Sequence, residues 1–286
     1  MLPFALYAML TRLPILKPRV IRAMLKQFAL GSTATFTAGD LGISRHTVNE
    51  WFNHWREAIL EHSRLAPRFS GVVEIDQTQL TGRGSKRAKA RQKQLDNSYA
   101  PNDTEWQKIL RKRREQRAKE LIKQGKHPWQ PVKALGLLSR SGQVYTHIIE
   151  NEKSDTLLPI VYMVVEEGST IYTDSWRSYG RLKEDKYKHE VIDHSRSFTN
   201  AKGVHINHIE SFWSFAKRHL NRFNGLNKRR AVLMLKECEF RWNTGGAESW
   251  KVLMKKIEAL APIPKKSQKR KKGFKPPFNP NSKKVP

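Results

Sequence analysis

The chain is poor in cysteine and in acidic residues, and each shortage excludes a class of protein. Its 286 residues contain a single cysteine, Cys238, so neither an intramolecular disulfide nor a cysteine-based zinc site can form. Cys238 lies in an apolar helical stretch, which predicts a small buried side chain. Only 26 Asp and Glu stand against 54 Lys and Arg, and the formal net charge of +28 favours an anionic partner such as nucleic acid.

Long hydrophobic runs are also missing. Residues 1–30 alternate between apolar and basic stretches, and Pro3, Pro14 and Pro18 interrupt them. This pattern predicts one or two supporting helices rather than a membrane span or a signal peptide. We therefore expect no membrane partner.

Two basic segments carry most of the charge. Residues 83–133 contain 16 Lys and Arg against 5 Asp and Glu, and residues 265–286 contain 9 basic residues and no acidic one. The first segment is expected either to lie along DNA or to form a solvated loop without a specific role. The second is rich in Lys and Pro and is expected to be a disordered arm that binds phosphate, or a nuclear-localisation signal in a nucleated cell.

Two acidic residues stand on separate predicted strands. Side chains alternate along VVEIDQT, so Ile75 faces one layer and Asp76 the other. A second short strand begins at Thr170 and ends at Asp174. Because open α/β sheets bind ligands at the carboxyl ends of their strands, Asp174 is well placed for a binding role.

A third acidic residue, Glu210, belongs to a predicted amphipathic helix. The buried stripe of this helix is expected at Ile209, Trp213, Ala216 and Leu220. The adjacent polar row is expected at Asn207, Glu210, Ser214 and Lys217. Lys217 can thus contact phosphate while Glu210 holds a metal ion.

Three carboxylates from separate elements suit a particular chemistry. Mg²⁺ prefers oxygen ligands, and two such ions about 4 Å apart activate an attacking oxygen and stabilise a leaving one. Taken singly, an Asp at a strand end is usually a turn residue, and a Glu beside an apolar stripe usually faces solvent. Together they favour two-metal phosphoryl transfer with Mg²⁺, or alternatively Mn²⁺.

Four strings of this sequence resemble one family nearly word for word. They are Glu74-Ile75-Asp76, Tyr172–Tyr179, Asn207–Ser214 and Glu239–Asn243. They resemble the DDE transposases of a group of bacterial insertion sequences and their eukaryotic Merlin relatives, over roughly residues 36–245. The resemblance implies an RNase H-like fold that cuts DNA and joins the freed 3′ hydroxyl to a target.

By that resemblance Asp76, Asp174 and Glu210 are the catalytic, metal-binding triad. Some members use Asn or His as the third ligand, so Asn207 and His208 remain alternatives to Glu210. His205 and His208 also admit a metal site with Glu210, although polar residues leading into a DNA-facing helix are the favoured interpretation. Asn207, Lys217 and Arg218 are expected to contact DNA.

Many relatives begin with a cysteine-based zinc ribbon, which this chain lacks, so another segment must recognise DNA ends. FTAGDLGISRHTVNEWFNHWREAI has a helix-turn-helix layout: Thr37–Leu41 form the first helix, Gly42 allows the turn, Ser44 caps, and Arg45–Ile59 form the recognition helix. Its core-facing residues are Val48, Trp51, Phe52 and Trp55. Its candidate DNA contacts are Arg45, His46, Asn49 and Asn53. An ordinary helical hairpin is the alternative.

The sequence therefore predicts an α/β fold, an RNase H-like mixed sheet flanked by helices and preceded by a helical helix-turn-helix domain. The predicted domains are 1–66 for DNA binding, 67–245 for catalysis with a basic insertion at 82–131, a closing helical segment at 246–264, and a disordered tail at 265–286.

The expected function is DNA transposition. Its partners would be double-stranded DNA, as terminal inverted repeats and target, and further copies of the chain in a synaptic homo-oligomer. The location would be the cytoplasm or nucleoid in a bacterium and the nucleus in a eukaryote. The alternatives are a domesticated or inactive sequence-specific DNA-binding protein derived from a transposase, and a structure-selective nuclease of the same fold.

Overall fold

The computed structural model describes residues 13–80, 132–174, 177–183, 186–192, 205–222, 228–245 and 250–264, with scattered positions between 105 and 120. Most of the predicted basic insertion and all of the predicted basic tail lie outside the described residues. The chain divides into two compact units, one formed by Met1–Trp55 with Met254–Pro286 and the other by Arg56–Leu253. The domain boundaries expected from the sequence remain predictions.

In the described residues, three helices come first, a mixed run of strands and helices follows, and three helices come last. The helices are α1 (Pro18–Ala29), α2 (Ala34–Leu41), α3 (Arg45–His62), α4 (Ser154–Val164), α5 (Asn207–Leu220), α6 (Lys228–Asn243) and α7 (Trp250–Leu260). The strands are β1 (Val72–Leu80), β2 (Val132–Ser139), β3 (Val144–Ile149), β4 (Thr170–Asp174) and β5 (Lys188–Ile192), and a 3₁₀ helix spans Arg177–Lys183.

In the first unit, a short turn separates α2 from α3. The Thr33 side chain accepts a hydrogen bond from the Phe36 N–H, so α2 begins three residues before the predicted start. Gly42 ends α2 with a φ of 62°, a left-handed conformation that glycine adopts without strain. The hydroxyl of Ser44 accepts the Thr47 N–H at 3.0 Å, and the predicted cap of α3 is thereby confirmed.

Aromatic rings fill the core of this unit. Phe28 of α1 meets Phe52 at a centroid distance of 5.0 Å and Trp55 at 5.4 Å. All four residues predicted to face the core are buried, namely Val48, Trp51, Phe52 and Trp55. The periodicity of α3 therefore gave its buried face correctly, because a buried stripe at helical spacing is what holds a short helix in place.

The second unit is built on a five-stranded sheet in the order β3-β2-β1-β4-β5. β1, β2 and β3 pair antiparallel, whereas β4 pairs parallel with both β1 and β5. This mixed sheet is consistent with the predicted RNase H-like transposase fold.

Helices cover both faces of this sheet. Val73, Ile75 and Ile171 pack in one cluster with residues of α4 such as Leu157 and Val161. The opposite face packs against α5 and α6, which contribute Ile209, Phe212, Trp213, Leu235 and Cys238. Cys238 is fully buried, as expected. Among the helices of the described ranges, none has the length and apolar character needed to cross a membrane.

Candidate active site

The middle of β1 and the end of β4 bring two predicted site residues to the same level of the sheet. The parallel register pairs Val73 with Ile171 and Glu74 with Tyr172. At the same offset, two residues further along, stand Asp76 and Asp174. Because side chains alternate, both carboxyl groups lie on the α5 face of the sheet, opposite the face that buries Ile75.

Helix α5 presents the polar row that the sequence predicted. Its buried side comprises Ile209, Phe212, Trp213, Ala216, His219 and Leu220. Asn207, Glu210, Ser214 and Lys217 are all exposed. Phe212 was missing from the predicted stripe, although its position three residues after Ile209 is a helical spacing that could have identified it.

Gly136 determines how closely α5 approaches the sheet. It is the antiparallel partner of Asp76, and a Cβ built on it would stand 2.6 Å from Cζ2 of Trp213. A side chain at this position would collide with the indole ring. Sequence reasoning missed Gly136, although a glycine inside an apolar strand is a recognised sign of close approach by another element.

The pKa of Asp76 responds to the charges of the two other predicted site carboxylates. Burial raises the pKa of the Asp76 carboxyl to about 7, and the charge of Asp174 adds to the rise. Glu210 raises this pKa further, whereas the Gln77 N–H, 2.8 Å from Oδ1, and the charge of Lys217 lower it. Asp174, Glu210 and Lys217 therefore all act on Asp76, although the four residues come from three separate elements.

Tyr179 borders the same carboxyl groups from the 3₁₀ helix. Its hydroxyl donates a hydrogen bond to Oε1 of Gln77 at 3.2 Å. Burial raises the pKa of Tyr179 well above its ordinary value, and the charges of Asp174 and Asp76 raise it further. The tyrosine is therefore a neutral donor beside the acidic site.

A second group of ionisable side chains lies at the start of α5. Ligand atoms of Glu74, His205 and His208 lie within 4.8 Å of one another, a spacing at which a metal ion can be held. Nη1 of Arg140 is 3.4 Å from Oε1 of Glu74 and 3.0 Å from Nδ1 of His208. The two histidines considered as partners of Glu210 therefore meet Glu74, and no local pattern in the sequence indicated this contact.

The predicted recognition residues lie on the first turns of α3. Arg45 and His46 are exposed, and Asn49 and Asn53 are half-buried. Nε2 of His46 is 3.2 Å from Oε1 of Glu50, one helical turn away. On α5, Lys217 and Arg218 are exposed in the last turn.

The chain matches one protein family over most of its second unit. The ISXO2-like transposase domain matches residues 68–243. This match spans β1, β4 and α5 and so contains all three carboxylates.

Two curated relatives are similar to parts of the chain. An uncharacterized transposase-like protein of Haemophilus influenzae is 42% identical over 115 residues, which are 40% of this chain and 93% of the relative. An uncharacterized protein in transposable element ISH50 of Halobacterium salinarum is 31% identical over 93 residues, 31% of this chain and 32% of the relative. No solved structure matches the chain.

Proposed function

The chain belongs to the ISXO2-like transposase domain family, and from this premise we propose that it binds the terminal inverted repeats of its own element and catalyses metal-dependent cleavage and transfer of DNA strands. The DDE triad and the Merlin-like motif at Asn207–Ser214 are part of this proposal. Because two DNA ends must be held together for transfer, a synaptic homo-oligomer is expected.

The observation that carries the proposal is the pKa of about 7 at Asp76, raised by burial, by Asp174 and by Glu210. The charges of Asp174 and Glu210 raise this pKa, and the charge of Lys217 offsets part of their effect. A divalent cation beside Asp76 would offset the repulsion and favour the charged form of this carboxyl group. A site that is unfavourable without a cation is what a metal centre requires.

The donor set suits two Mg²⁺ ions, with Mn²⁺ as a substitute, because Asp76, Asp174 and Glu210 offer hard oxygen ligands. When bound, the ions supply activation of the attacking oxygen and stabilisation of the leaving one. The chain itself supplies the three carboxyl groups from β1, β4 and α5. Lys217 and Arg218, exposed on the same helix, bind DNA phosphates electrostatically and orient the strand.

Glu210 is the proposed third ligand rather than Asn207 or His208. Nδ1 of His208 is 2.8 Å from Oε1 of Glu74 and is also 3.0 Å from Arg140. Glu210, in contrast, contributes to the raised pKa of Asp76. This charge relationship supports the carboxylate as the third ligand.

Recognition of the terminal repeats is assigned to α2, α3 and their turn as a helix-turn-helix. The buried aromatic face of α3 leaves Arg45 and His46 exposed and Asn49 and Asn53 on its flank. Asn bonds adenine edges and Arg bonds guanine edges in the major groove. These four residues are therefore the proposed DNA contacts of the first unit.

A second candidate is a sequence-specific DNA-binding protein that has lost strand transfer. Such a protein would use the same recognition helix as a transposase and would differ from it only in lacking catalytic activity. A structure-selective nuclease of the same fold is less favoured, because reading DNA shape does not require a recognition helix. The retained carboxylates with Lys217 favour the active enzyme.

The deciding experiment is a cleavage assay on DNA that carries the element's own flanking repeats. Wild type and Asp174→Asn are compared with and without Mg²⁺, and a parallel series contains Mn²⁺. The amide keeps the shape of the side chain but loses the charge that holds a cation. Mg²⁺-dependent nicking at the repeat boundary by wild type alone is the expected result.

Other outcomes have distinct meanings. Repeat binding without cleavage in either metal supports the DNA-binding alternative. Cleavage of branched DNA without any preference for the repeats supports the nuclease. Equal cleavage by Asp174→Asn removes Asp174 from the site.

A further inference from the structure

Glu74 is a buried carboxylate that the proposed chemistry does not use. It lies two residues before Asp76 on the same face of β1, and its side chain is fully buried. A buried charge persists only when it is paired or hydrogen-bonded on several sides. Its partners therefore indicate its role.

One carboxylate oxygen of Glu74 binds the first turn of α5. Oε2 accepts hydrogen bonds from the backbone N–H of His208 at 3.1 Å and of Ile209 at 3.0 Å. The residue in the cap position of α5 is Ile206, which has no side-chain cap hydrogen bond. Glu74 therefore supplies, from a neighbouring strand, the acceptor that a Ser, Thr, Asp or Asn normally supplies from within the helix.

The other oxygen faces a cation. Oε1 is 2.8 Å from Nδ1 of His208 and 3.4 Å from Nη1 of Arg140. Arg140 follows the end of β2, where its backbone N–H bonds the carbonyl of Val72. Its guanidinium also lies over the ring of Tyr172, 5.6 Å from the centroid. Arg140 is thus held on two sides while it balances the charge of Glu74.

This arrangement argues against a metal ion at Glu74, His205 and His208. The guanidinium already approaches both Oε1 of Glu74 and Nδ1 of His208, and a second cation there would be repelled. The contacts of Glu74 are therefore those of an ion-paired helix cap.

We infer that Glu74, oriented by Arg140, is a positioning residue that fixes the first turn of α5 and thereby holds Glu210 opposite Asp76. Glu210 directly follows the two residues whose N–H groups Glu74 binds. A single strand thus carries Asp76 and anchors the helix that carries Glu210. This inference rests on the proposed function and assigns Glu74 no contact with metal or DNA.

The test compares full-length wild type with Glu74→Gln and with Glu167→Gln, an exposed carboxylate that pairs with Lys186 at 3.0 Å. Cleavage of repeat DNA is measured against Mg²⁺ concentration, and repeat binding is measured separately. Hydrogen exchange of the peptide spanning the start of α5 reports the cap without any need for activity.

A positioning role predicts a rise of about 10- to 100-fold in the Mg²⁺ concentration for half-maximal cleavage by Glu74→Gln, as for other residues that orient metal ligands. High Mg²⁺ restores part of the rate, and repeat binding equals that of wild type. Exchange at the start of α5 becomes faster. Glu167→Gln matches wild type in every measurement.

Several results would overturn the inference. Unchanged exchange together with an unchanged Mg²⁺ dependence in Glu74→Gln removes the positioning role, and faster exchange with an unchanged Mg²⁺ dependence reduces Glu74 to a purely structural role. Stoichiometric Zn²⁺ binding that is lost in His205→Ala makes the cluster a metal site instead. Absence of cleavage by wild type overturns the proposed function together with the positioning role, and the exchange measurement then still reports the cap.

If Glu74→Gln does not fold, Arg140→Gln provides the test of the positioning role. Arg140 is exposed, and the backbone amides keep their acceptor in this variant. The expected result is a severalfold rise in the Mg²⁺ requirement with unchanged repeat binding. An unchanged Mg²⁺ requirement contradicts the role of Arg140.

Discussion

The indole of Trp213 lies directly against the Cα of Gly136, so closely that a Cβ on this glycine would stand 2.6 Å from Cζ2 of the ring. Gly136 is the antiparallel partner of Asp76. The position across from Asp76 therefore has no side chain, and the helix that carries Glu210 fills the space. Close helix packing and the spacing of the carboxyl groups depend on the same residue.

Gly136→Ala should destabilise the protein and impair cleavage. The added methyl group must displace Trp213 or α5, and overpacking of this kind costs about 1–3 kcal/mol of the free energy of unfolding. Gly180→Ala is the matched control, because a Cβ there meets nothing within 4 Å. Urea denaturation of both variants, with cleavage assays beside it, checks the prediction. Equal stability of the two variants would show that the indole moves without cost.

Asp76→Asn should raise stability while it abolishes cleavage. The folded-state pKa of Asp76 is about 7, above its ordinary value of 3.8. Between pH 3.8 and pH 7 the Asp76 carboxyl group is therefore protonated in the folded protein but ionised in the unfolded chain. As the pH rises through this range the free energy of unfolding falls, by at most about 4 kcal/mol above pH 7. The amide cannot ionise, so the melting temperature of the variant should exceed that of wild type more at pH 8 than at pH 4.

Added Mg²⁺ provides the check on that prediction. Mg²⁺ should raise the melting temperature of wild type at pH 8, because a cation relieves the repulsion at Asp76. It should leave Asp76→Asn nearly unchanged. A variant that is less stable than wild type at pH 8 would contradict the raised pKa.

Arg56→Met should be strongly destabilising. Nε of Arg56 is 2.7 Å from Oε2 of the buried Glu237, whose Oε1 is also 2.8 Å from Arg241. Burial alone would raise the pKa of Glu237, but Arg56, Arg241 and His219 hold it well below its ordinary value. Removal of one partner leaves an incompletely paired buried charge, at a cost of about 3–5 kcal/mol.

The surface pair Arg22 and Glu258 offers the control for that variant. Its nitrogen and oxygen are 3.1 Å apart, but the arginine side chain is 58% exposed. Arg22→Met should therefore change the free energy of unfolding by less than about 1 kcal/mol. Chemical denaturation of the two variants should separate them clearly. Similar losses would mean that Glu237 finds other donors.

His54→Met should remove an acid sensitivity. Burial lowers the pKa of His54 from 6.5 to about 4, and within the described part of the chain neither ring nitrogen has a hydrogen-bond partner. The neutral imidazole contributes about 3 kcal/mol to the free energy of unfolding above pH 6.5, and this contribution is lost as the pH falls towards 4. Denaturation between pH 4 and 7 should show a flatter dependence of stability on pH for the variant than for wild type.

Periodicity in the sequence predicted much of the fold and the buried faces of the elements that carry the candidate site residues. The alternation around Asp76, the stripe of α5 and the aromatic face of α3 each follow local spacing, and the structure buries these faces as expected. The contact of Glu74 with His208 was not predictable in this way. It joins residues 134 positions apart and depends on how α5 meets the sheet. The close approach at Gly136 was missed for the same reason.

Substitutions on α3 and α5 should separate sequence reading from phosphate binding. Asn49→Ala should lower the preference for the terminal repeat over unrelated DNA, because a bidentate base contact contributes about 1–3 kcal/mol of discrimination. Lys217→Ala should weaken binding to both DNAs alike and reduce the salt dependence by roughly one phosphate contact. Titrations of both DNAs at several salt concentrations measure the two effects together. A reduced preference in Lys217→Ala with none in Asn49→Ala would move sequence reading from α3 to α5, because only contacts with base edges carry sequence information.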